Sequence, residues 1–170
     1  MTTPLSDWDF VVTTTRFEAV RDALPTLVGP LRPVVAQWDR LSRNWCYMMI
    51  LAGPSKVDLI FCHRHPVEPP WQVTGQTLQR IDDHFWDWVL WLGSKHLAGR
   101  HDVVSSELRK LHRHLLEPIG VTAVPGSLDE AVAGYQAARD ELERRFRRQI
   151  ARTAELTVLP TLRRLTDVHQ

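Results

Sequence analysis

The spacing of apolar residues changes once along this chain, near residue 75. Before it, apolar positions fall in short runs rich in β-branched and aromatic residues; after it, they recur every three or four residues, as on a helix face. Trp8-Asp9-Phe10-Val11-Val12-Thr13-Thr14 reads as a strand, and a helix is predicted from about Arg16 to Val28, bent in its last turn by Pro25 and stopped by Gly29-Pro30. Val34 to Asp39, Trp45 to Leu51 and Lys56 to Cys62 read as further strands. The turn residues Ala52-Gly53-Pro54-Ser55 join the last two into an antiparallel hairpin. Pro66, Pro69 and Pro70 donate no ladder hydrogen bond and bias their predecessors away from helix, which predicts an extended linker.

Beyond the linker every segment is helical. From Thr77 to Leu97, Leu78, Ile81, Phe85, Val89 and Leu92 keep the spacing, while Trp86, Trp88, Leu90 and Trp91 make the other faces apolar as well; such a helix belongs at the centre of the fold. Asp82, Asp83 and Asp87 toward its start and Lys95 and Arg100 toward its end suit the helix dipole, and Gly99 suits a left-handed stop. A second helix from near Asp102 buries Val104, Leu108, Leu111 and Leu115, leaves His112 and His114 solvated, and ends before Pro118. Ser127-Leu128-Asp129-Glu130 has capping-box spacing and opens a long helix with Leu128, Val132, Tyr135, Leu142, Phe146 and Ile150 on its buried stripe. A last helical segment around Leu156 to Leu165 accommodates Pro160 near a first turn or at a kink. The expected fold class is α+β. A small mixed sheet with a hairpin packs on one helix over residues 1–72, and an all-helical carboxy-terminal bundle follows over 73–170.

Composition narrows the partners. With 170 residues, 44% of them hydrophobic, the chain suits one globular domain, or one small domain with a helical appendage. Lys and Arg number 21 against 20 acids, a net charge of +1, so no global field draws in nucleic acid or an anionic membrane, and neither is expected as a partner. The apolar stretch from Phe85 to Leu97 is broken by Asp87, Ser94, Lys95 and His96 and is shorter than the roughly 20 residues of a membrane span. Two cysteines, Cys46 and Cys62, make no disulfide framework, and Met1 to Phe10 lack the pattern of a signal peptide; a reducing cytoplasm is the expected location.

The candidate chemistry lies on two of the strands. Side chains alternate along a strand, so Asp7 and Asp9 project together while Trp8 and Phe10 turn toward the core. Asp58 interrupts an apolar strand whose Val57, Leu59 and Phe61 fill the opposite face. If the two strands are neighbours, three carboxylates converge, a donor set suited to Mg²⁺, which takes oxygen ligands and is held by one or two carboxylates plus substrate phosphates. Cys62-His63-Arg64-His65 lacks the paired four-ligand spacing of a zinc site. Arg144-Arg145-Phe146-Arg147-Arg148 reads as a solvated helix face, with contact to a nucleotide or RNA as the alternative. Trp71 reads either as exposed near a cleft or as packed across the seam between the two parts.

Leu-Ser-Asp-Trp-Asp-Phe, a helix, a hairpin closing on Lys-Val-Asp-Leu-Ile-Phe, then Asp-Asp-His-Phe-Trp-Asp-Trp with a downstream Lys95 together resemble the nucleotidyltransferase superfamily, specifically the bacterial aminoglycoside-type nucleotidyltransferases. The resemblance runs from about Leu5 to near the end of the chain. It implies that Asp7, Asp9 and Asp58 hold Mg²⁺ and a nucleoside triphosphate, taken as ATP. It also implies that Asp58 is the base that activates a hydroxyl of a small acceptor such as an aminoglycoside, and that Lys95 contacts the triphosphate. The family also places a Gly-Ser turn about ten residues before its first acid, where backbone amides cradle phosphates. Here the six residues before Asp7 contain no glycine. Two readings follow: a transferase shortened at its amino terminus, or a non-catalytic binding or regulatory protein on the same scaffold. A first strand at Asp7 would leave an unpaired edge, so the reading frame is expected to continue upstream of Met1 through about 20 to 30 codons, enough for one helix and a short strand.

Overall fold

The computed structural model describes Leu5, residues 7–65 and residues 71–167, with side chains through residue 165; Ser6 and the proline linker predicted at Pro66, Pro69 and Pro70 lie outside the described residues. Four strands form one mixed sheet in the order β1-β4-β3-β2: β1 (Trp8–Val12), β2 (Val35–Trp38), β3 (Asn44–Leu51) and β4 (Ser55–Arg64). β3 and β4 make the expected antiparallel hairpin, β2 pairs antiparallel with β3, and β1 runs parallel to β4. Gly53 takes the tight turn between β3 and β4 at φ 106°. The α+β architecture is the one expected.

Each face of the sheet carries a different core. On one, α1 (Phe17–Val28) lays Phe17, Leu24 and Val28 over Tyr47, Met49 and Phe61, and Phe17 meets the rings of Phe61, Trp38 and Trp45 edge-on or tilted. Pro25 stands inside α1. On the other face, Val35, Met48 and Ile50 join the larger core built around α2 (Leu78–Leu97), so apolar packing is continuous from the sheet into the helices.

Trp8 and Phe10 depart from the expectation, being 62% and 50% exposed. Their alternation is as predicted, since Val12 of the same strand reaches the α1 core. However, β1 is an edge strand, and among the described residues the apolar side chains of α1 lie over the central strands and not over this end of the sheet.

α2 is the central helix. Phe85, Trp86, Val89, Leu90 and Leu92 are fully buried, and Gly93 lets α5 (Thr153–Asp167) approach so closely that a Cβ there would collide with Leu162 Cδ2. The chain leaves α2 through Gly99 in the left-handed conformation, as predicted, and enters α3 (His101–Leu111). That helix widens into a π-helical turn, His112–Leu116, closed by Glu117 N donating to His112 O. The wider turn brings His112 inward. It is buried, with Nε2 2.9 Å from the Val121 carbonyl, while His114 is half-buried, so neither is solvated as expected.

α4 (Leu128–Phe146) begins as the capping spacing predicts, Ser127 Oγ accepting from Glu130 N; Glu130 reaches back to Gly126 N rather than to the cap itself. Ile150 is buried, but in the turn after the helix. Pro160 stands in the middle of α5, not near its first turn, with Val158 and Leu162 packed in the core on either side of it. Trp71 is buried rather than cleft-exposed, with the Arg40 guanidinium 4.3 Å above its ring.

The acids of α2 do not serve its dipole. No acid stands in its first turn, and Asp82 and Asp87 are buried. Asp82 accepts from Tyr135 Oη at 2.7 Å and Trp86 Nε1 at 3.3 Å, with Arg139 Nη1 3.7 Å away, so one carboxylate ties α2 to α4 beside the stacked rings of Phe85 and Tyr135. Removing a hydrogen bond to a buried charge costs about 1.5–3 kcal/mol, and Tyr135→Phe is expected to lower unfolding stability by that amount in urea titration. An unchanged midpoint would show that Asp82 does not depend on the Tyr135 hydroxyl.

Candidate active site

The parallel pairing of β1 and β4 sets Asp9 directly opposite Asp58. Asp7 comes two residues before Asp9 and Lys56 two before Asp58, so strand alternation turns all four toward the α2 side of the sheet. Helix α2 answers with Asp87 and Lys95. Lys56 Nζ lies 2.7 Å from both oxygens of Asp87 and 2.9 Å from Asp58 Oδ1, and its side chain is 6% exposed. Lys95 Nζ is 3.5 Å from Asp7 Oδ1 and 4.9 Å from the centre of the Trp91 ring. Asp9 is exposed and makes no ion pair among the described residues.

A cavity of about 320 Å³ opens over this ion triad. Lys56, Asp58 and Asp87 line it together with the half-buried Trp88 and Trp91, and Asp39, Leu41, His84, Glu107, Lys110 and His114 complete the wall. Of the predicted site residues only Asp58 lines the cavity. Asp7, Asp9 and Lys95 are not among its lining residues, and Trp91 links the two groups, since it walls the cavity and receives Lys95.

Burial is the main influence on these charges. It pushes the Asp58 carboxyl up from its ordinary 3.8; attraction to Lys56 opposes this, repulsion from Asp87 and Asp9 adds to it, and the result is about 6. Burial pulls the Lys56 ammonium down, but Asp87 and Asp58 outweigh it and hold the ammonium above its ordinary range. Burial lowers His84 despite the pull of Asp39 and Asp87. The ring is therefore neutral near pH 7, and its 3.8 Å approach to Asp39 is not an ion pair.

Sequence reasoning passed over Lys56, Asp87 and the tryptophan walls. Lys56 was legible, since alternation puts it on the face of Asp58. Asp87 was hidden among apolar residues of a helix whose neighbours only the folded chain reveals.

Among the described residues no three His, Cys, Asp or Glu side chains converge as a ligand cluster. The donor chemistry nonetheless fits Mg²⁺ through Asp9 and Asp58, hard oxygen donors in register on adjacent strands, because Mg²⁺ is held by as few as one or two carboxylates with phosphates and water completing its octahedron. Repulsion from Asp87 and Asp9 on the Asp58 carboxyl is the kind that a bound cation relieves.

Lys56 gives the sharpest test of this arrangement. Lys56→Met strands two buried carboxylates, a loss of about 3–5 kcal/mol at pH 8 by analogy with other broken buried pairs. Without the ammonium the Asp58 carboxyl rises further, so the folded variant holds a proton the unfolded chain has released, and its stability falls as pH increases above about 4. Urea unfolding should show a much smaller deficit at pH 5 than at pH 8; equal deficits would mean the triad is not electrostatically coupled.

No protein-family model matches this chain, and no curated protein is significantly similar to it. Among solved structures, an aminoglycoside 6-adenyltransferase from Bacillus subtilis aligns over 94% of this chain and 88% of that one, at 11% identity and a TM-score of 0.36. A likeness that distant carries no weight for function, which rests on the carboxylates themselves.

Proposed function

We propose that this protein is a cytoplasmic Mg²⁺-dependent nucleotidyltransferase that moves a nucleoside monophosphate from a nucleoside triphosphate, ATP, to a hydroxyl of a small molecule such as an aminoglycoside. The observation that carries this reading is the register of Asp9 against Asp58 on adjacent parallel strands, with Asp58 titrating near 6. Asp7, Asp9 and Asp58 would hold the metal, which when bound supplies charge neutralisation at the phosphates. Asp58 is the base: a carboxylate titrating near 6 is mostly ionised at neutral pH yet basic enough to take a hydroxyl proton as the bond to phosphorus forms. In the transfer the acceptor oxygen bonds to the α-phosphorus, the bond to pyrophosphate breaks, and the acceptor proton passes to Asp58. Lys56 engages Oδ1 and fixes the carboxylate's orientation. Lys95 balances Asp7 and is in place to meet triphosphate charge. The cavity over Asp58, with tryptophan faces and the carboxylates of Asp39 and Glu107, suits a compact hydroxylated acceptor bearing amines.

A second reading, a non-catalytic binding or regulatory protein, is favoured by two features: Asp58 already holds an ammonium, and Asp7, Asp9 and Lys95 stand apart from the cavity.

Calorimetry with Mg-ATP separates the two. The transferase reading expects saturable binding that Asp9→Asn abolishes in a folded protein, and pyrophosphate release whose kcat/KM rises with pH through a limb near 6. Folded protein that binds no nucleotide at millimolar concentration would leave the binding-protein reading.

A further inference from the structure

A second charged cavity, of about 620 Å³, lies at the turn between α4 and α5. Five arginines line it (Arg139, Arg144, Arg147, Arg148 and Arg152), against two acids, Asp140 and Glu143. The lining side chains sum to +3, and since Glu155 and Glu141 just outside the wall pair with Arg139 and Arg144, the uncompensated charge is concentrated on Arg147 and Arg148. The acids are already engaged. Glu143 accepts from Ile150 N at 2.7 Å and from Arg152 Nη2 at 2.5 Å, and Asp140 accepts from Arg139 and Arg152. Arg147 and Arg148 have no ion pair among the described residues, and Arg152 Nη1 is buried without an acceptor.

The turn is held in place. Ala151 N donates to Gln79 Oε1 at 2.8 Å, which fastens the loop to the first turn of α2, and Arg148 Cδ would lie 3.7 Å from a Cβ on Gly75. Arg147 caps α4 in the left-handed conformation, φ 51° and ψ 42°, where glycine is the usual residue. An arginine at that position bears a backbone cost of roughly 1 kcal/mol that glycine would avoid. The dipole of α4 favours cations at this end, but Arg144 and Arg145 in its last turn already supply them, and the left-handed backbone itself asks for no side chain at position 147.

We propose that this turn is a binding site for a small molecule bearing a polyphosphate chain, independent of the carboxylate site. Guanidinium forks pair with phosphate oxygens in bidentate fashion, and a cavity of this volume admits a nucleotide-sized ligand. The cationic surplus suits a multiply charged anion better than a single carboxylate.

Inorganic tripolyphosphate is the probe, titrated calorimetrically into the full chain at low salt with EDTA present, so that no metal-dependent binding at the carboxylates contributes. Arg147→Gly suits the left-handed backbone and should unfold at an equal or higher urea concentration while binding tripolyphosphate about tenfold more weakly, the loss of one charge-assisted contact. Arg148→Ala should weaken it comparably, and Asp9→Asn should leave it unchanged. Three results would overturn the site: no binding to wild-type protein, undiminished affinity in both arginine variants, or loss of binding in Asp9→Asn. A single-stranded oligonucleotide binding more tightly than tripolyphosphate would also overturn it, in favour of a nucleic-acid backbone. Because the assay contains no metal and no acceptor, its failure leaves the transferase reading standing, and the reverse holds as well.

Discussion

A helix buried on every side must have its polar side chains answered by whatever packs around it, and α2 is such a helix. Its Asp82 is met by Tyr135 from α4, and its Asp87 by Lys56 from β4. Either carboxylate left alone in that interior would be costly, so these two contacts restrict how α2 can rotate between the sheet and the carboxy-terminal helices. Apolar contacts fill the space, but greasy faces all round the helix do not by themselves select one orientation. The polar contacts do, and the same rotation that satisfies Asp87 turns Trp88 and Trp91 to wall the cavity above Asp58.

This dependence explains which parts of the structure were legible beforehand. The strands and helices were readable because each rests on a local period: the hairpin at Gly53, the stop at Gly99 and the cap at Ser127 are written in a few neighbouring residues. The shared face of Asp9 and Asp58 was readable too, given only that their strands are adjacent. Burial of individual residues was another matter. Trp8 and Phe10 alternate as a strand should, yet whether the inward face of an edge strand is covered depends on the placement of α1. Position along α2 suggested a dipole role for Asp82 and Asp87, but partners 31 and 53 residues away decided it. His112 turned inward because of a π-helical turn, which has no simple compositional signature.

The candidate site is best understood as an imbalance of charge. Four carboxylates, Asp7, Asp9, Asp58 and Asp87, face two ammonium groups, Lys56 and Lys95, on one side of the sheet. Lys56 is committed on both sides and deeply buried, so it behaves as part of the framework. Asp9 carries the unneutralised charge at the solvent edge. On the proposed reading this imbalance is what an added cation would answer, beside a carboxylate, Asp58, that burial pushes up to about 6.

The two cysteines of the hairpin illustrate how the sheet sets reactivity. Cys46 is buried, and burial, with Asp58 and Asp39 nearby, pushes its thiol well above the ordinary range; Cys62, on β4, is exposed. Thiolate is the species that alkylates, so a maleimide reagent at neutral pH should find Cys62 and pass over Cys46. The wild-type chain thus carries a native attachment point for a fluorophore or spin label, four residues along the strand from Asp58.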